Sequence, residues 1–205
     1  MDGSRRWKLY FVHALTFGRI PLVLFFLVIN VFACRPMGSL CFSAAFICLI
    51  AAAVTDMLDG YFARKLKVVT RFGAYADPLT DKIFYLTVLP TLVYLSALKG
   101  QNTHAGVLLV LTVLFLARDQ WVSFLRSVGA IHGAPAEANF SGKLRTLISF
   151  PVICVIYYYL QAPGDWALQI SIMGLYGLEI TCMLINVLSI GVYTVQYRPW
   201  LKKEF

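Results

Sequence analysis

The sequence predicts an all-α integral membrane protein, and three observations carry that prediction. Of 205 residues, 60% are hydrophobic and only 14% are charged, well below the roughly 25% charged residues of an ordinary soluble domain; mean hydropathy is +0.74. The apolar residues gather into six long runs rather than alternating with polar ones. The basic residues fall between those runs, and unevenly.

Taken in order, residues 1–10 are basic and amphipathic, with Arg5, Arg6, Trp7 and Lys8, and predict a short N-terminal interfacial helix. No small-residue cleavage site follows, so they do not read as a signal peptide. The six runs cover residues 16–33, 40–58, 74–98, 105–125, 144–160 and 166–193. Each approaches the 17–25 residues that a spanning helix needs. The fifth is the weakest, being short and interrupted by Pro151; its Tyr157, Tyr158 and Tyr159 read as an outer interfacial belt. The connections near 35–38, 99–104 and 161–165 hold just two of the 18 Lys and Arg residues, Arg35 and Lys99. Those near 64–71 and 126–145, and both termini, are rich in them. The positive-inside rule therefore puts both termini, the stretch of aspartates from Asp56 to Asp81 and the 126–145 loop in the cytoplasm. One membrane domain over 1–205 is expected, without internal repeats. The net charge of +8 flanks apolar helices, which suits anionic headgroups and phosphorylated substrates rather than nucleic acid. The five cysteines (Cys34, Cys41, Cys48, Cys154, Cys182) lack metal spacing and read as small buried hydrophobes. His13, His104 and His132 have no second ligand at metal spacing and read as interfacial or loop residues.

Function is concentrated between Asp56 and Asp81. Asp56 and Asp59 lie three apart, Asp77 and Asp81 four apart, so each pair shares a helix face. Two such helices side by side would point four carboxylates at one spot. Acids at the end of a membrane helix are costly unless neutralised, and hard oxygen ligands in this arrangement suit two Mg²⁺ or Mn²⁺ ions. Gly60, Ala63 and Gly73 leave room for a ligand near the backbone, and Arg64 adds a fixed cation. Metals with an arginine read as a pyrophosphate site. Solvated or N-capping aspartates are the bland alternative, and it accounts poorly for four acids interleaved with Gly, Ala and Arg.

A second constellation comprises Arg118, Asp119, Arg126, Lys143 and Arg145. Arg118 lies well inside an apolar run and must face the protein interior or a wet cavity. Either it is a structural ion pair with Asp119 or with an aspartate of the first cluster, or these cations bind the phosphate of an anionic acceptor. Glu179, within the sixth run, faces the same cavity or pairs with a base such as Arg118. Gly174 and Gly177, with Ala167 and Ser171, make a small-residue stripe suited to close helix packing.

The pattern D-x2-D-G-x2-A-R-x8-G-x3-D-x3-D is met without a gap, and on it the sequence is similar to the CDP-alcohol phosphotransferase family. Within that family, four further elements resemble those of bacterial phosphatidylglycerophosphate synthases: Leu15-Thr16-x-x-Arg19, Ala76 to Lys82, Ala117-Arg118-Asp119 with Leu125-Arg126, and Gly142 to Thr146. Asp119 stands where Glu is usual, Arg145 where Lys is usual and Thr80 where a small residue is usual; an Arg-Asp here also resembles the cardiolipin synthases. The resemblance implies transfer of the phosphatidyl group of CDP-diacylglycerol to sn-glycerol 3-phosphate, in a homodimer of the bacterial inner membrane. It implies metal ligation by Asp56, Asp59, Asp77 and Asp81, with Asp81 as the general base. It implies CDP binding by Thr16, Asp56, Gly60, Ala63, Arg64 and Gly73, and acceptor binding by Arg118, Arg126, Lys143 and Arg145. Inositol phosphate and phosphatidylglycerol are the alternative acceptors. A small transporter is the rival outside enzymes; inverted repeats and broken helices would mark it, and neither is visible in the sequence.

Overall fold

The computed structural model describes the backbone of residues 3–33, 38–66, 68, 71–133, 140–164 and 170–202, and their side chains except at 3–5, 33, 56, 57, 64, 71, 72, 74, 75, 77 and 140–144. Among the described residues there are six long helices: α1 (Gly3–Val28), α2 (Ser39–Lys65), α3 (Arg71–Leu98), α4 (Asn102–Ile131), α5 (Phe140–Gln161) and α6 (Ile172–Leu201). Among the described residues, five of the six are long and apolar enough to cross a bilayer; α5 is not one of them. The expected interfacial helix is not a separate element. Residues 3–10 are the first turns of α1, whose spanning stretch already begins at Arg6, because no Gly or Pro interrupts the chain between Tyr10 and Thr16.

α1 packs on both α2 and α3, α3 on α4, α4 on α6, and α5 on α2, α3 and α6. Side-chain pairs fix the directions. Thr16 meets Asp59 at one end of the bundle, while Phe26 and Phe42 both pack on Tyr157 nearer the other, so α1 and α2 run antiparallel. His104 meets Glu179 and Arg126 meets Tyr193, so α4 and α6 run parallel. α3 and α4 form a hairpin closed at Gly100, whose φ of 73° is the left-handed conformation that ends a helix most cheaply on glycine. The ends of α2, α4 and α6 and the starts of α1, α3 and α5 therefore share one end of the bundle, and it is the end that carries both charged constellations.

The main core runs along the middle of the bundle through Phe26, Leu49, Leu92, Leu111, Ile156 and Leu175; Val122, Leu125, Tyr193 and Tyr197 form a smaller one at the charged end. Polar groups within the apolar layer find partners, as burial demands. At the π-helical turn Ile29–Ala33 that ends α1, the Asn30 amide donates to the Phe26 carbonyl and its oxygen accepts from Tyr157. Tyr157 is thus a fully buried core residue rather than part of an outer belt. Cys41 is disulfide-bonded to a partner outside the described residues, whereas Cys48, Cys154 and Cys182 are free. The reading of all five cysteines as buried thiols fails at Cys41, which lies near the start of α2, at the opposite end from the aspartates. Of the small-residue stripe, Ala167 lies outside the described residues, and its glycines make no close packing within this chain. Gly174 and Gly177 are exposed, and a Cβ at either would meet nothing within 4 Å.

Candidate active site

Three helices assemble the aspartate centre. α2 carries Asp56 and Asp59 in its last turns, α3 carries Asp77 and Asp81 in its first, and α1 lies against both. The side chains of Asp56, Asp77 and Arg64 lie outside the described residues. Asp59 and Asp81 are brought together by Arg19 of α1. Its guanidinium donates to Asp81 Oδ1 at 2.6 Å and lies 3.5 Å from Asp59 Oδ2. The Thr16 hydroxyl, one turn before Arg19, donates to the same Asp59 oxygen at 2.9 Å. Thr16, Arg19 and Asp59 are buried, but the Asp81 side chain is 46% exposed. Among the two described aspartates, one carboxylate is therefore locked in place and the other is open to a substrate. Gly60, Ala63 and Gly73 are half-buried on the same segments. Arg19 is quoted in the sequence motif but its role as the bridge is not legible there, since it spans 62 positions of sequence.

A cavity of about 560 Å³ opens beside this centre, lined by Arg19 and Asp81 at its polar end and by Ala52, Phe84, Leu147 and Pro151 along its apolar length. Pro151 has no N–H for the Leu147 carbonyl, so α5 is weakened where it walls the cavity. The remaining lining residues include Tyr85 and Thr146. Tyr85 also carries the second constellation: the Arg145 guanidinium stacks on its ring and on that of Phe115, at 5.2 and 4.3 Å.

In that second constellation Asp119 binds both buried arginines. Arg145 donates to both of its oxygens, at 2.8 and 2.9 Å, and Arg118 donates to Oδ1 at 3.1 Å. Helix α6 supplies the rest. Arg145 Nε donates to Asn186 Oδ1, Arg118 Nε and Nη2 donate to Ser189 Oγ, and Arg126 Nη2 donates to the Tyr193 hydroxyl. Of the two partners weighed for Arg118, the structure selects Asp119. Arg126 differs from the other two: it is only partly buried, it has no acidic partner among the described residues, and its Nε has no hydrogen-bond partner there. The Lys143 side chain lies outside the described residues. Asn186, Ser189 and Tyr193 were missed in the sequence. The signal for them is that they recur at i, i+3 and i+7 within an apolar run, which puts them on one face of a helix.

Glu179 joins neither constellation. It is fully buried at the other end of the bundle, with Oε1 2.7 Å from His104 Nε2; His104 Nδ1 lies 3.2 Å from the Ser96 hydroxyl. His104 is accordingly a buried partner rather than a loop residue. Glu179 faces neither the cavity nor Arg118.

No three His, Cys, Asp or Glu side chains converge among the described residues. The donor set nonetheless fits hard divalent cations. Asp59 is held in one rotamer by Thr16, the Asp81 carboxylate is open to the cavity, and both offer oxygen alone.

A helical bundle with, among the described residues, five helices long and apolar enough to cross a membrane, paired aspartates and a largely apolar cavity beside them fits a membrane-embedded enzyme. A family model described as CDP-alcohol phosphatidyltransferase matches residues 10–191, and the chain belongs to that family. Relatives named CDP-diacylglycerol–glycerol-3-phosphate 3-phosphatidyltransferase include that of Rickettsia typhi, 30% identical over 155 residues (76% of this chain and 77% of the relative). That of Sodalis glossinidius is 30% identical over 164 residues, 79% of this chain and 82% of the relative. That of Bacillus subtilis is 36% identical over 103 residues, about half of each.

Proposed function

We propose that this chain transfers the phosphatidyl group of CDP-diacylglycerol to sn-glycerol 3-phosphate, giving phosphatidylglycerophosphate and CMP. The observation that carries this reading is the pairing of an acidic and a basic centre with one cavity: Asp81 and Arg19 line its polar end, and the Arg118–Asp119–Arg145 group sits behind Tyr85. The names of the relatives supply the donor and acceptor.

Asp56, Asp59, Asp77 and Asp81 would hold two Mg²⁺ or Mn²⁺ ions, which when bound neutralise the pyrophosphate and the departing CMP. Thr16 and Arg19 fix the Asp59 carboxylate, and Arg19 orients Asp81. Thr16, Gly60, Ala63, Arg64 and Gly73 line the CDP moiety. The acyl chains occupy the apolar length of the cavity. The acceptor hydroxyl attacks the β-phosphorus, next to the diacylglycerol. A new P–O bond forms, the bond from that phosphorus to the bridging oxygen breaks, the hydroxyl proton passes to Asp81 and CMP departs. Arg126 and Lys143 meet the acceptor phosphate directly, and Arg118 and Arg145 add the field of a partly neutralised pair.

The active end faces the cytoplasm of a bacterial inner membrane. The distribution of Lys and Arg supports this, as does the disulfide at Cys41, because disulfides persist in oxidising compartments and Cys41 lies at the opposite end. The enzyme is a homodimer of one domain per chain.

The test is CMP release by purified protein from CDP-diacylglycerol with a panel of acceptors, with and without EDTA. Turnover with glycerol 3-phosphate that disappears on chelation is expected. CMP release with inositol phosphate or phosphatidylglycerol but none with glycerol 3-phosphate would overturn the acceptor assignment.

A further inference from the structure

We infer that one face of α6, formed by Asn186, Ser189 and Tyr193, is a positioning platform that sets the affinity for a phosphorylated acceptor. This deepens the proposed function and rests on its reading of the arginines. The three residues lie at i, i+3 and i+7, are buried to 2% exposure or less, and each meets a different guanidinium.

Each contact is itself oriented. The Asn186 amide NH2 donates to the Cys182 carbonyl at 2.8 Å, which leaves Oδ1 as the acceptor facing Arg145 Nε at 3.1 Å. Ser189 Oγ accepts two N–H groups from Arg118, at 3.0 and 2.8 Å, and so fixes the plane of that guanidinium. The Tyr193 hydroxyl accepts from Arg126 at 3.1 Å, and its ring lies under both Arg118 and Arg126, at 5.2 and 5.5 Å. Arginines are long and lose much freedom when held. Pre-paying that cost before the acceptor arrives raises affinity without touching the reacting atoms. Because Asp119 neutralises part of the charge on Arg118 and Arg145 while Arg126 has no acidic partner among the described residues, Tyr193 is the member that acts through the most open cation.

The experiment is steady-state kinetics on the purified full chain in CDP-diacylglycerol micelles, varying glycerol 3-phosphate and then CDP-diacylglycerol, with melting temperature measured in parallel. Tyr193→Phe keeps the ring and removes the hydroxyl. The KM for glycerol 3-phosphate is expected to rise about 3- to 10-fold, the loss of one hydrogen bond, with the KM for CDP-diacylglycerol within about twofold of wild type. Ser189→Ala is expected to behave likewise, and Ser189→Thr to restore the acceptor KM. A purely structural role would lower the melting temperature and the active fraction while leaving KM unchanged. Unchanged acceptor KM in both Tyr193→Phe and Ser189→Ala, or equal rises for both substrates, overturns the inference. If wild type ignores glycerol 3-phosphate, the same variants are measured with the anionic acceptor it does use. If wild type accepts only a neutral alcohol, this inference falls together with the proposed function; if wild type uses glycerol 3-phosphate and the variants keep its KM, this inference falls alone.

Discussion

Two charged centres share one end of this bundle, and among the described side chains they lean in opposite directions. In the first, one described arginine, Arg19, serves two aspartates, Asp59 and Asp81. In the second, one aspartate, Asp119, serves Arg118 and Arg145, with Arg126 close by. A buried ion pair that balances is a poor candidate for ligand binding, because its charges are already spent on each other. A residual charge marks what is missing. An acid excess suits a cation and a basic excess an anion, which is the division of roles proposed above, with the acid centre lining the cavity and the basic centre behind Tyr85.

Removing the acid side should have the largest effect. Asp59→Asn, and likewise Asp56→Asn and Asp77→Asn, should reduce turnover by at least about a thousandfold, since an amide is a poor ligand for a hard cation and metal stabilisation is worth several kcal/mol. Near-wild-type turnover at saturating Mg²⁺ in any of them would remove that residue from the metal shell. Asp81→Asn should also abolish transfer yet keep thermal stabilisation by CDP with Mg²⁺; a loss of only a few-fold would mean that Asp81 is not the base.

Breaking the second centre at its aspartate should affect stability first. Asp119→Ala leaves Arg118 and Arg145 buried without a counter-charge, at a cost of about 3–5 kcal/mol, to be read as a large fall in melting temperature in detergent. An unchanged melting temperature would mean that solvent already screens the pair. Arg126→Ala probes the open cation instead. It should raise the acceptor KM by about 10- to 150-fold, the worth of one charged contact, with the KM for CDP-diacylglycerol moving much less. Equal shifts for both substrates would place Arg126 on the donor side.

The smallest effect on chemistry belongs at the other end. His104→Gln should lower the melting temperature by removing the partner of a fully buried Glu179 and leave both KM values as they are. A changed acceptor KM would show that the two ends communicate.

How legible this was from sequence depended on range. The aspartate pattern lies within 26 positions, and helical spacing alone puts each pair on one helix face; of its members, Asp59 and Asp81 are seen together at Arg19. The helical spans followed from hydropathy. What could not be read were contacts set by packing. Arg19 meets Asp81 across 62 positions, Arg118 meets Ser189 across 71 and His104 meets Glu179 across 75. A lone Asn, Ser or His in an apolar run signals only that a partner exists, not where it is. The N-terminal basic stretch misled for a related reason: its composition suits an interfacial helix, but without a breaker it simply continues into the first span.

The length of α4 gives the unequal neutralisation of its arginines a further meaning. From its start at Asn102, a rise of 1.5 Å per residue puts Arg118 about 24 Å along the axis and Arg126 about 36 Å. A hydrocarbon layer is about 30 Å thick. The helix therefore crosses a dielectric gradient between its two cations. A layer that began at the start of α4 would hold Arg118 within it and leave Arg126 outside, in step with Arg118 having a carboxylate partner and Arg126 none among the described residues. On the proposed function, a soluble phosphate would meet Arg126 first without entering lipid, while the lipid substrate would not have to leave it.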